Sequence, residues 1–211
     1  KNPIISENLM GIKRKLGVKQ LSKKPILVND LKLIVQAIMD EKNDKKKIQN
    51  KALILLGFAG GFRRSELVSI DFEDIDFVTE GIKIYIKKSK TDQTGIGMIK
   101  AIPFFENKTF CPVVSLKEWI DHANINSGRI FKISDKSVAL IIKRYALKAG
   151  LDNTKYAGHS LRSGFATSTA ETGADERSIM AMTGHKTTQM VRRYIKEANI
   201  FKNNALKDIK I

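Results

Sequence analysis

Three segments of the chain set arginine, histidine and tyrosine at spacings with chemical meaning. GGFRRSEL (60–67) follows an apolar run with two glycines and then offers Arg63, with Glu66 placed to hold that arginine by a charged hydrogen bond. GHSLRSGFAT (158–167) puts His159 and Arg162 about 60° apart on one helical face, while Leu161 and Phe165, about 40° apart on another, can anchor the helix in a core. His159 and Arg162 fall in the first turn, where the positive end of the helix dipole favours an anion. TGHKTTQMVRRYI (183–195) closes one helix at Gly184, sets His185 in a turn and offers Thr187 or Thr188 to cap the next helix. That next helix carries Tyr194, with Met190 and Val191 on its side to bury its root. Guanidinium forks suit the oxygens of an oxyanion, imidazoles donate and move protons near neutrality, and a phenol is a potential nucleophile. Taken singly, each segment also reads as ordinary structure: an Arg–Glu pair at a helix start, a surface histidine near a surface arginine, a half-buried core tyrosine.

Other chemistries find no matching pattern. The three histidines, His122, His159 and His185, form no HExxH spacing, and the lone Cys111 builds neither a thiolate metal site nor an internal disulfide. There is no GxxxxGK[ST] phosphate loop and no GxSxG elbow. No metal and no cofactor is expected. No apolar run approaches the roughly 20 residues of a membrane helix, so no membrane partner is expected either. Lys and Arg number 38 against 22 Asp and Glu, a net charge of +16. A surface this basic suits the phosphate backbone of double-stranded DNA better than it suits a small-molecule substrate, and such binding is strongly salt-dependent.

The elements that must position these residues follow from periodicity. Residues 1–24 hold seven basic residues against Glu7 and read as a basic arm or interdomain linker ending at Pro25. The chain begins at Lys1, so a fragment or processed form is expected. Asn29 is a candidate cap for an amphipathic helix through Leu31, Ile34, Val35, Ile38 and Met39. ALILL (52–56) is apolar on every face and predicts a buried helix that stops at Gly60-Gly61. Ile82, Ile84 and Ile86 alternate with polar neighbours as a strand does, TDQTGIG (91–97) is turn chemistry, and residues 98–102 can return as the partner strand. The chain after Pro112 is helical, with a stripe from Val138 to Ala149 closed by Gly150. The fold class is mainly α with a small antiparallel β-sheet (α+β).

In order and spacing, Arg63, His159, Arg162, His185 and Tyr194 resemble the tyrosine recombinase (phage integrase) family, and the likeness covers nearly all of residues 25–211. ALILLGFAGGFRRSELVSIDFEDID is similar to the family's first-arginine block, and AGHSLRSGFATSTAETGADERSIMAMTGHKTTQMVRRYI to its second block through the nucleophile. IKKSKTDQTG resembles the hairpin that carries the family's lysine, with Lys90 the match and Lys87 and Lys88 close by. The resemblance implies the tyrosine recombinase catalytic-domain fold over 25–197. It implies site-specific cutting and rejoining of DNA strands through a 3′-phosphotyrosyl intermediate, without metal or ATP. Tyr194 would be the nucleophile, Lys90 the proton donor to the leaving 5′-oxygen, and Glu66 a support for the arginines. It further implies other protomers in a DNA-bound tetrameric synapse, a missing N-terminal core-binding domain, a tail (198–211) docking on a neighbouring protomer, and a cytoplasmic, prokaryotic or mobile-element setting. A type IB topoisomerase-like enzyme and a catalytically silent DNA-binding module are the alternatives.

Overall fold

The structure, a computed structural model, describes residues 3–16, 23–87, 97–185 and 187–198. Its centre is helix α3 (Asp44–Ala59), buried at every residue from Asn50 to Ala59 as its all-apolar face pattern requires. Asn43 starts it, its side chain accepting the Lys46 N–H at 2.8 Å. Helices α2 (Val28–Met39), α5 (Pro112–His122) and α7 (Ser160–Glu171) pack on α3, and α6 (Asp135–Lys148) packs on α2. On α2 the apolar period buries Leu31, Ile34, Val35 and Ile38 but leaves Met39 exposed. The helix begins at Val28 rather than capping at Asn29. Residues 23–27 run extended beside residues 155–160, with the Ile26 N–H donating to the Ser160 carbonyl at 2.9 Å, and the helix starts where that pairing ends.

Strands β1 (Ile75–Val78), β2 (Gly81–Ile86) and β3 (Met98–Pro103) form one antiparallel sheet in that order. The alternation read from the sequence sets the faces: Ile82, Ile84 and Ile86 are buried, while Lys83 and Tyr85 are exposed. On β3 the inward phase falls on Lys100 and Ile102, with Lys100 opposite Ile84.

Where the sequence reads as a basic arm, residues 3–16 form helix α1 (Pro3–Leu16). Ile5, Leu9 and Ile12 stand at i, i+4 and i+7, a helical stripe obscured by the surrounding lysines, and all three are more than half exposed.

The last three helices build a smaller second core. Ala166 and Ala170 of α7, Ile179 of α8 (Glu176–Thr183) and Val191 of α9 (Thr188–Ala198) are buried together, with Tyr194 and Ile195 half-buried against them. Val191 covers the root of Tyr194, whereas Met190, expected to share that task, is 53% exposed.

Leu53 is fully buried in the middle of α3. Leu53→Ala is expected to cost about 2–5 kcal/mol, read as a lower urea midpoint at unchanged m-value. An unchanged midpoint would mean that α3 is not the centre of the core.

Candidate active site

The site is assembled at the ends of α3, α7 and α8. The C-terminus of α3 runs into Gly61, whose φ of +53° is left-handed. A Cβ there would also press on Phe165 at 2.9 Å and Thr183 at 3.3 Å. The chain then enters the short helix α4 (Arg64–Val68) with Arg63 at its N-cap. Glu66, 2% exposed, accepts the Arg63 backbone N–H at 2.9 Å through Oε2 and an Arg63 Nη1 hydrogen bond through Oε1. The pairing expected between these residues is present, and it ties the guanidinium to its own helix start.

Arg162 does not take the surface position that its segment, read singly, also allows. It is 1% exposed, and its Nη1 donates to the Gly61 carbonyl at 2.9 Å, joining α7 to the turn before Arg63. Its Nε and Nη2 are buried without a hydrogen-bond partner among the described residues. Burial first, then the charge of Arg63, pushes its pKa down to about 10, so it remains a cation at any working pH. His159, at the N-cap of α7, keeps an exposed edge. Loss of solvent around its ring, then Arg162, Arg63 and Arg64, hold its pKa below the ordinary histidine range.

Gly184 closes α8 in the left-handed conformation and turns the chain into His185. The Thr183 hydroxyl donates to the Ile179 carbonyl at 2.6 Å, which uses its one proton. It must therefore accept from His185 Nδ1, 2.8 Å away, leaving Nε2 unprotonated in the neutral ring; this tautomer is assigned from the bonding pattern. Burial, then Arg162 and Arg63, push His185 down to about 4. Its ring centroid lies 6.2 Å from that of Tyr194. Tyr194 in turn acts electrostatically on Arg162, and Arg63 Nη1 reaches within 4.0 Å of where a Gly184 Cβ would stand.

Arg63, Glu66, His159, Arg162, His185 and Tyr194 are thus brought together from three separate stretches of chain. Lys90 lies outside the described residues, as does Lys88. Lys87 is held by Asp74 at 2.7 Å and Asp71 at 3.3 Å, so it is committed to the base of the hairpin. One residue at the site was not anticipated from the sequence. Lys100 is fully buried, and its Nζ donates to the Gly60 carbonyl at 2.6 Å and to the Met182 carbonyl. It stands over the Phe62 ring at 4.5 Å, and burial pushes its pKa down to about 7. The available signal was its phase: it falls between Met98 and Ile102 on the inward side of a strand, where a lysine is out of place.

Comparison with known proteins shows which family the chain belongs to. Residues 28–199 match the model of the phage integrase family. The chain belongs to this family. Among phage integrase relatives, an integrase/recombinase xerD homolog of Selenomonas ruminantium is 45% identical over 218 aligned positions, which cover 98% of this chain and 63% of the relative. Tyrosine recombinase XerA of Pyrococcus furiosus is 30% identical over 192 positions, 83% of this chain and 60% of the relative. The chain therefore spans somewhat less than two thirds of the length of these relatives. The fold is also that of solved family members. XerH site-specific recombinase, in a post-cleavage complex with its difH substrate, superposes with a TM-score of 0.68 at 19% identity over 86% of this chain and 54% of that one. The catalytic domain of bacteriophage HP1 integrase gives 0.56 at 16% identity over 90% of this chain and all of that one.

The depressed His185 pKa makes a prediction about stability. The folded state refuses a proton until about pH 4, whereas the unfolded histidine takes one near 6.5. Its contribution is therefore present above pH 6.5 and is lost as pH falls toward 4. Wild type is expected to lose up to about 1.4 kcal/mol more per pH unit across that window than His185→Gln, measured by urea unfolding. Parallel slopes would show that His185 titrates normally.

Proposed function

We propose that this chain is the catalytic domain of a site-specific DNA recombinase that cuts and rejoins strands through Tyr194. The observation that carries this reading is the buried guanidinium of Arg162, whose Nε and Nη2 have no hydrogen-bond partner among the described residues. Leaving two buried donors unpaired is costly, and they cluster with Arg63, His159, His185 and a half-buried phenol. Such a cluster matches what a scissile phosphodiester requires, because negative charge grows on its non-bridging oxygens as the phosphorus is attacked.

In the proposed reaction the Tyr194 oxygen bonds to phosphorus as the bond to the 5′-oxygen breaks. Arg162 and Arg63 bind the non-bridging oxygens, and Glu66 fixes the direction of the Arg63 fork. The phenol proton passes to a neutral imidazole; both histidines are kept uncharged by their surroundings. Lys90 supplies the proton that leaves with the 5′-hydroxyl. The 3′-phosphotyrosyl link stores the bond energy, so a second strand's 5′-hydroxyl reverses the step without ATP or metal. Residues 1–24 serve as the arm toward a core-binding domain, and residues 198–211 dock on a neighbouring protomer in a tetrameric synapse in the cytoplasm of a bacterium or the host of a mobile element.

The test is covalent trapping on a nicked duplex carrying the element's end sequence, using the full-length parent. Wild type is expected to give a denaturation-resistant adduct and Tyr194→Phe none, while Arg162→Met, lacking the main phosphate donor, should fall by about 10²–10³-fold in rate, on the scale of a lost oxyanion donor. Tight DNA binding with no adduct would overturn the enzyme reading. Binding itself should weaken linearly in log–log fashion with salt, by about 10³-fold or more between 50 and 200 mM if six or more phosphates are contacted. A salt-independent affinity would contradict a phosphate-backbone partner.

A further inference from the structure

We infer that Lys100 is a positioning residue that holds the two turns carrying the phosphate-binding groups in register with each other. This rests on the reading of the site given above. Lys100 occupies a position where a strand facing a core would hold an aliphatic side chain: it is fully buried on β3, opposite Ile84 and in phase with Ile102. A buried amine is costly unless its hydrogen bonds are met. Here they are met by carbonyls from two distant stretches, Gly60 at the end of α3 and Met182 in the last turn of α8. Carbonyls at a helix C-terminus lack intrahelical donors, so each end gains a partner that water cannot supply at this depth.

The positions of those carbonyls give Lys100 its reach. Gly60 is followed by Gly61, whose own carbonyl accepts from Arg162 Nη1 at 2.9 Å. Two consecutive carbonyls, those of Gly60 and Gly61, are therefore gripped by different partners, Lys100 and Arg162, with only Phe62 between them and Arg63. Met182 precedes Thr183, the hydroxyl that orients His185, and Gly184, the turn beside Arg63 Nη1. One ammonium thus ties the arginine turn to the histidine turn, and it does so from the strand that leads back toward the lysine-bearing hairpin. The Phe62 face, 4.5 Å from Nζ, closes the remaining side of the pocket. Lys100 itself, shielded from solvent, does not touch substrate. It acts through the placement of Arg63, Arg162 and His185.

The test uses the full-length parent, single-turnover cleavage at saturating DNA, and two substrates: the natural phosphodiester, and a methylphosphonate in which a methyl group replaces one charged non-bridging oxygen. Lys100→Met is expected to bind DNA within about threefold of wild type. It should cleave the phosphodiester at least tenfold more slowly and show a clearly smaller loss on the methylphosphonate, where less charge needs to be met by the arginines. A plain folding defect would slow both substrates equally. Should the Met variant not fold, Lys100→Gln, which keeps one donor, is read in the same way. A wild-type cleavage rate in the variant, or an equal loss on both substrates, overturns the positioning role. Absence of cleavage by wild type itself would instead overturn the recombinase reading.

Discussion

The burial of the Arg162 guanidinium is the constraint around which this domain is built. Arg162 is 1% exposed and, among the described residues, makes one hydrogen bond, to a neutral carbonyl. Glu66 is the carboxylate that acts on it, and that carboxylate is already engaged by Arg63. Removing a cation from water costs several kcal/mol unless it is compensated, so the site stores instability that a bound oxyanion would relieve. The two hydrophobic cores on either side supply what the site consumes. The large one fixes α3 and the turn that presents Gly61 and Arg63; the small one fixes α8 and α9, and with them His185 and Tyr194.

The same concentration of positive charge divides the labour among the titrating groups. Arginines stay charged however hard their neighbours press, which makes them permanent donors. The two histidines yield instead, their pKa values pushed down by burial and by the arginines, and so stand ready to accept a proton. The arrangement is specific about which nitrogen does so in His185, because Thr183 claims the other. In the proposed reaction, a bound phosphate diester would offset the arginine field and raise the pKa of both histidines toward neutrality.

Much of this is legible in the amino-acid sequence itself. The helical stripe of α2, the all-apolar α3 and the alternating isoleucines of β2 report their partners through period alone, since burial on one face or on all faces leaves a direct record in residue type. The cluster Arg63, His159, Arg162, His185 and Tyr194 was legible because its order and spacing match a family. The depth of Arg162 was not, since a helical wheel shows which residues share a face but not which face is covered. Lys100 escaped because it makes its contacts to backbone carbonyls forty and eighty-two residues away, and a carbonyl leaves no mark on residue type. Helix α1 escaped for a different reason: its apolar stripe stays exposed within this chain, and lysine content masked it.

On the proposed reading, the Arg162 donors left unpaired among the described residues await an oxyanion rather than hold the fold together. Urea unfolding of wild type and Arg162→Met, each in sodium sulfate and in sodium chloride at matched ionic strength, tests this most directly. Sulfate strengthens burial in any protein, so the difference between the two proteins is the quantity to read. Sulfate is expected to stabilise wild type more than the variant, and in chloride the variant is expected to be about as stable as wild type. A variant that unfolds at much lower urea in chloride and gains equally from sulfate would contradict this reading, and would make Arg162 a structural residue.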